Sequence, residues 1–210
     1  MSPIAVPCFT KQGTGKPDQG VKEDEGGTSM IPLLCESGHS QLVIIDIQEK
    51  LAAAMKASVR EQTVRHAGIL AEAAVRLGIP VLRTEQYPRG LGPTVPALQD
   101  AGGLVEKTCF SCFAAGGFPR ALDGTRRQIV LAGMETHVCV LQTALEMHQA
   151  GYQIFVVEDA VCSRHKRHHR NALARLRQAG VVVSNVESVL FEWLRDAAHP
   201  AFKAVSRLIR

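Results

Sequence analysis

Gln128-Ile129-Val130-Leu131-Ala132-Gly133-Met134-Glu135-Thr136-His137-Val138-Cys139-Val140 is the segment whose reading decides the fold. Residues 128–132 form a short apolar run of the kind that makes a strand buried on both faces. Residues 141–150 then follow a helical pattern closed by Gly151. A buried strand running into a helix is half of a parallel-sheet unit. It sets Cys139 in the first helical turn, at the carboxyl end of the strand. Free backbone N–H groups and the positive end of the helix dipole converge there, and both favour a thiolate. A free cysteine is also a small hydrophobe that packs well in a core. The segment alone leaves both readings open.

Outward from this segment, strands and helices alternate. Strands are expected at residues 41–46 (QLVIID), 80–84 (PVLRT), 103–107 (GLVEK), 127–132, 152–157 (YQIFVV) and 181–184. Helical periodicity covers residues 60–77, 136–150 and 166–179, with further helical segments near 187–195 and 199–208. Residues 85–94 (EQYPRGLGPT) read as a Pro/Gly loop. This order predicts an α/β domain with a parallel sheet covered on both faces. In such a sheet a site forms beyond the carboxyl ends of the strands. Asp46, Lys107 and Cys139 end the first, third and fourth strands or follow them closely. An acid, an amine and a thiol make a chemically coherent set: Asp46 accepts the thiol proton and Lys107 holds the negative charge. Taken singly, Asp46 reads equally as a turn cap and Lys107 as an exposed strand end.

The chain has 210 residues, 46% hydrophobic and 21% charged, with a formal net charge of +4. These values suit one globular domain and do not call for nucleic acid as a partner. Residues 1–38 lack apolar periodicity and read as a flexible tail, leaving residues 39–210 as the domain. Met30 lies in that tail just ahead of the ordered pattern and is a second candidate for the start. The Gly13-Thr14-Gly15-Lys16 fragment follows no strand and lacks phosphate-loop spacing. No apolar run is long enough for a bilayer and no secretory leader is visible, so a cytoplasmic location with reduced cysteines is expected.

Ile45-Asp46-Ile47-Gln48, Glu106-Lys107-Thr108 and Gly133-Met134-Glu135-Thr136-His137-Val138-Cys139-Val140, in this order and spacing, resemble the isochorismatase-like cysteine hydrolases over about residues 41–209. The loop at 84–94 and the ending Asp196-Ala197-Ala198-His199-Pro200-Ala201-Phe202-Lys203 are similar to the isochorismatase domain-containing subgroup. The resemblance implies a three-layer α/β/α sandwich, Rossmann-like, around a six-stranded parallel sheet. It implies a triad of Cys139 as nucleophile, Asp46 as base and Lys107 as electrostatic partner. It further implies a cis peptide between Met134 and Glu135, and an oxyanion hole from the N–H groups of Glu135 and Cys139. The implied chemistry is hydrolysis of a small amide or related C–N substrate through a thioester, with no cofactor, in a homo-oligomer. Nicotinamidases of this superfamily hold a metal through an Asp-x-His pair and a further histidine; Glu85-Gln86-Tyr87-Pro88 supplies no histidine, so no metal is expected. The alternatives are vinyl-ether hydrolysis of the isochorismate type and an idle binding or scaffold protein.

Gln48, Tyr87, Phe110 and Phe113 are candidates for the substrate pocket, with core or loop packing as the alternative reading for the aromatics. Cys109-Phe110-Ser111-Cys112 is a C-x-x-C without a matching second pair, so neither a zinc ribbon nor a redox role is expected. The run Ser163-Arg164-His165-Lys166-Arg167-His168-His169-Arg170 reads as a solvated helix start, not as a nucleic-acid or membrane contact. Its cations oppose the helix dipole, and the sequence offers no reason for that. His137 lies two residues from Cys139, a spacing that does not place two side chains on one helical face. Glu135 is assigned either to the pocket or to bracing its turn.

Overall fold

The computed structural model describes residues 34–210. Six strands, β1 (Ser40–Ile45), β2 (Val81–Gln86), β3 (Gly103–Lys107), β4 (Gln128–Met134), β5 (Gln153–Cys162) and β6 (Val182–Ser184), form one all-parallel sheet in the order β3-β2-β1-β4-β5-β6. The order reverses between β1 and β4, and the crevice beyond their carboxyl ends is where such folds build sites. Helices α1 (Glu49–Ala53), α2 (Ala57–Arg76), α3 (Pro88–Leu91), α4 (Phe118–Ala121), α5 (Leu141–Gln149), α6 (Lys166–Gln178), α7 (Val186–Leu194) and α8 (Phe202–Ser206) complete the fold.

Side chains alternate across each strand, and the central strands bury both sets. Leu42, Ile44, Val130, Ala132 and Phe155 point to one side and pack with α2 and α7. Val43, Ile45, Ile129, Leu131 and Val156 point to the other and pack with α5 and α6. The result is the three-layer α/β/α sandwich that the sequence predicts. α2 fits because alanines dominate its buried face, Ala67, Ala73 and Ala74 among them, so the helix sits close to the strands.

Several boundaries differ from the sequence reading. β2 runs through Gln86, two residues into the segment read as loop, and the rest of that segment holds α3. An antiparallel bridge between Gln48 and Thr94 closes the loop against the start of α1. β5 continues past Val157 to Cys162, although Glu158 and Asp159 look like a strand end. Both acids have partners: Glu158 accepts from Arg177 Nη2 at 2.7 Å and Asp159 accepts from the Val186 N–H at 2.9 Å. The expected tail at 1–38 lies outside the described residues except for 34–38. Within that stretch Cys35 is buried and its N–H donates to Glu192 Oε2 at 2.6 Å.

Candidate active site

Asp46 is the first residue beyond β1 and has a left-handed backbone (φ 51°). Its N–H donates to the Thr84 carbonyl at 3.2 Å, which keeps it in line with β2. Asp tolerates this conformation better than most residues, which explains an acid at the turn. The carboxylate is held on both oxygens. Thr84 Oγ1 donates to Oδ1 at 2.7 Å and Lys107 Nζ donates to Oδ2 at 2.7 Å. Lys107, the last residue of β3, also donates to Gln86 Oε1 at 2.7 Å and to the carbonyls of Cys109 and Phe110 at 3.3 Å each. Both side chains of this ion pair are 0% exposed. Burial works to lower the Lys107 pKa, but the Asp46 carboxylate, by its charge and its hydrogen bond, holds it above the ordinary value.

Cys139 approaches from β4. The peptide bond between Met134 and Glu135 is cis. Residues Thr136–Val140 then form a wide turn in which the Val140 N–H reaches back to the Glu135 carbonyl at 3.3 Å. Gly133 makes the close approach possible: at φ 129° an added Cβ would lie 2.0 Å from the Ile45 carbonyl oxygen, next to Asp46. Cys139 is 5% exposed. Its pKa is pushed well up, first by burial, then by the Asp46 carboxylate, with a hydrogen bond to Asp46 in the same direction and Lys107 opposing. Of the two readings the sequence leaves open for Cys139, burial favours the protonated one. Burial and an adjacent anion thus favour the thiol over the thiolate, against the opposing pull of Lys107.

The structure thus brings Asp46, Lys107 and Cys139 together. The other predicted positions make their own contacts. Gln48 is a brace: Nε2 donates to the Gln86 carbonyl at 3.0 Å and the Gly92 carbonyl at 2.7 Å, and Oε1 accepts from the Gln86 N–H at 2.8 Å. Glu135 turns to the loop before α6, accepting from the Arg164 N–H at 2.9 Å and from Arg164 Nε at 3.1 Å. Glu85 accepts from the Thr94 N–H and Oγ1 at 2.6 and 2.7 Å. Phe113 meets Tyr152 edge-on at 6.1 Å, and Phe110 is 55% exposed. Tyr87 (φ 40°) lines a cavity of about 590 Å³ with residues 88–89, 106–109 and 114–117. Lys107 is where this cavity meets the triad. Among the described residues no cluster of three or more His, Cys, Asp or Glu side chains is arranged for a metal, and no helix is long and apolar enough to cross a membrane.

Thr84 and Gln86 escaped the sequence reading, yet they fix Asp46 and Lys107. The available signal was three consecutive polar residues, Thr84-Glu85-Gln86, ending a strand in mid-sheet. Polar groups in such a place need partners.

Residues 40–188 match the family model described as the isochorismatase domain. The mouse isochorismatase domain-containing protein 2A is 41% identical over 175 residues, covering 81% of this chain and 82% of its own length. Among solved structures, the MAR1 ribonuclease from Caenorhabditis elegans superposes with a TM-score of 0.78 at 34% identity, covering 84% of this chain and 92% of that one. An octameric hydrolase of unknown specificity from Escherichia coli shares the fold at 23% identity, with a TM-score of 0.75 over 84% of this chain and 89% of that one.

Proposed function

Because this chain belongs to the isochorismatase family of hydrolases, we propose that it cleaves a small amide or related C–N substrate by covalent catalysis from Cys139. The carrying observation is the fully buried Asp46–Lys107 pair set against a buried thiol. A buried ion pair is weak evidence for stability. Its position beside a nucleophile, at the switch point of the sheet, favours chemistry.

In this mechanism Asp46 takes the thiol proton as sulfur attacks the substrate carbonyl, and Lys107 stabilises the negative charge that passes through sulfur. The N–H groups of Glu135 and Cys139 receive the tetrahedral oxyanion. Asp46 then returns its proton to the departing nitrogen, which leaves as ammonia or an amine and a thioester remains on Cys139. Asp46 next deprotonates a water, which attacks the thioester; collapse releases the acid, and the proton goes back to sulfur. No step requires a metal or an organic cofactor. The E. coli octamer and the exposed side chains of Leu104 and Phe110 support a homo-oligomer, which sedimentation velocity would detect.

The test is a panel of small amides with intact-mass detection of the acyl-enzyme. Cys139→Ala abolishes turnover and the adduct, and Asp46→Asn lowers kcat about 10²–10⁴-fold. Turnover that survives Cys139→Ala overturns the covalent mechanism. RNA belongs in the panel because the C. elegans relative is described as a ribonuclease, although a buried Cys139 is poorly placed for a polymer.

A further inference from the structure

On the helix side of the Cys139 turn lies a second cavity, about 390 Å³, lined by His137, Arg167, His168, Asn171 and Arg175. We propose that this cavity is a binding site for a phosphate group, free or carried as a small monoester.

Four of its five lining side chains are basic and none is acidic. The nearby acids are already engaged: Glu135 holds Arg164, and Glu158 pairs with Arg177 at 2.7 Å. Among the described residues, Arg167 and Arg175 have no acidic partner. The imidazoles crowd together as well. The rings of His137 and His168 lie 4.7 Å apart, and those of His165 and His168 lie 5.1 Å apart. The unpartnered guanidinium groups of Arg167 and Arg175 share this lining, and an anion between them offsets their repulsion. Two arginine forks and an amide at Asn171 suit phosphate oxygens, which guanidinium groups bind in pairs.

The site comes from two parts of the chain. His137 belongs to the turn Thr136–Val140 and is held by Ser163 Oγ, 3.0 Å from Nδ1. The other lining residues come from α6. Arg167 and His168 occupy its first turn, and Asn171 and Arg175 continue along the helix. A bound anion resolves the oddity in the sequence, since cations at a helix start are tolerable when a phosphate neutralises both them and the dipole.

Calorimetry on the full chain, titrated with inorganic phosphate at fixed ionic strength, tests the assignment. Saturable binding in the millimolar range or tighter is expected, weakened about tenfold or more by Arg167→Ala/Arg175→Ala. Arg120→Ala, a basic residue outside the cavity, leaves it unchanged. Circular dichroism confirms that both variants fold. Glycerol phosphate in a parallel titration decides between the free and the esterified anion. No saturable heat with either ligand, or equal binding by the double variant, overturns the proposal. A single-stranded oligonucleotide that binds far more tightly through the same two arginines overturns it in favour of a polymer.

Discussion

Asp46 does two opposed things to Cys139. It accepts the thiol proton during the proposed attack, and at rest its charge keeps that proton on sulfur. The opposition gives a counterintuitive expectation for Asp46→Asn. Without the carboxylate, burial still holds the thiol pKa up but Lys107 opposes it unchecked, so the pKa falls below that of the wild type and the thiolate fraction at neutral pH rises. Each unit of pKa is tenfold in that fraction, partly offset by the lower nucleophilicity of a more acidic thiol. In the wild type, iodoacetamide should alkylate Cys139 more slowly than a free model thiol near pH 7.5. In Asp46→Asn, alkylation should be several-fold faster than in the wild type while turnover falls. Peptide mapping by mass spectrometry reads the rate at this one cysteine. Slower alkylation in the variant would mean that Asp46 draws the proton away even at rest. The three residues were legible from the sequence because strand ends in a parallel sheet converge. The resting charge was not, because it depends on burial that only the assembled layers create.

At the scale of the element, the β1 and β4 ends are locked together by one glycine. Gly133 faces the Ile45 backbone so closely that a methyl group would meet its carbonyl oxygen at 2.0 Å, and its φ of 129° excludes an L side chain in comfort. Gly133→Ala should therefore cost more than about 3 kcal/mol or prevent folding, as backbone clashes at strained positions do. Gly124→Ala, where no heavy atom lies within 4 Å of the new Cβ, should stay within about 0.5 kcal/mol of the wild type. Urea unfolding separates the two, and equal stabilities would remove the close-approach argument. The same elements show where pattern reading succeeds and fails. β3 falls on residues 103–107 as expected, because an apolar pair between Gly103 and the charged Glu106-Lys107 has clear ends. β5 outruns its apolar stretch because partners from α6 and the start of α7 satisfy Glu158 and Asp159. The wide turn at Thr136–Val140 carries no periodic signal that distinguishes it from an ordinary first helical turn.

Across the whole molecule, two helical layers seal the sheet so completely that thiols on both faces lose access to water. Cys35 and Cys162 lie in the layer with α2 and α7, and Cys112 and Cys139 lie in the layer with α5 and α6. Burial raises the Cys35 pKa from 9.0 to about 12 and those of Cys112 and Cys162 to about 11. The unfolded chain has ordinary thiols, which ionise first as pH rises through 9. Between pH 9 and 11 the unfolded state therefore binds fewer protons than the folded one, and unfolding becomes more favourable with each step. The stability in question is fully present below pH 9 and drains away through that window. Each such thiol contributes up to about 1.4 kcal/mol per pH unit to the slope. Cys162→Ala removes one of them at a site away from the triad. Its unfolding free energy should be lower than that of the wild type near neutral pH, because a small cavity forms. Between pH 9.5 and 10.5 it should fall less steeply, by about 1 kcal/mol per pH unit. Urea titrations at half-unit pH intervals measure both slopes. Parallel slopes would show that the Cys162 thiol ionises as readily in the folded protein as in the unfolded chain, and that the layer over α2 admits solvent.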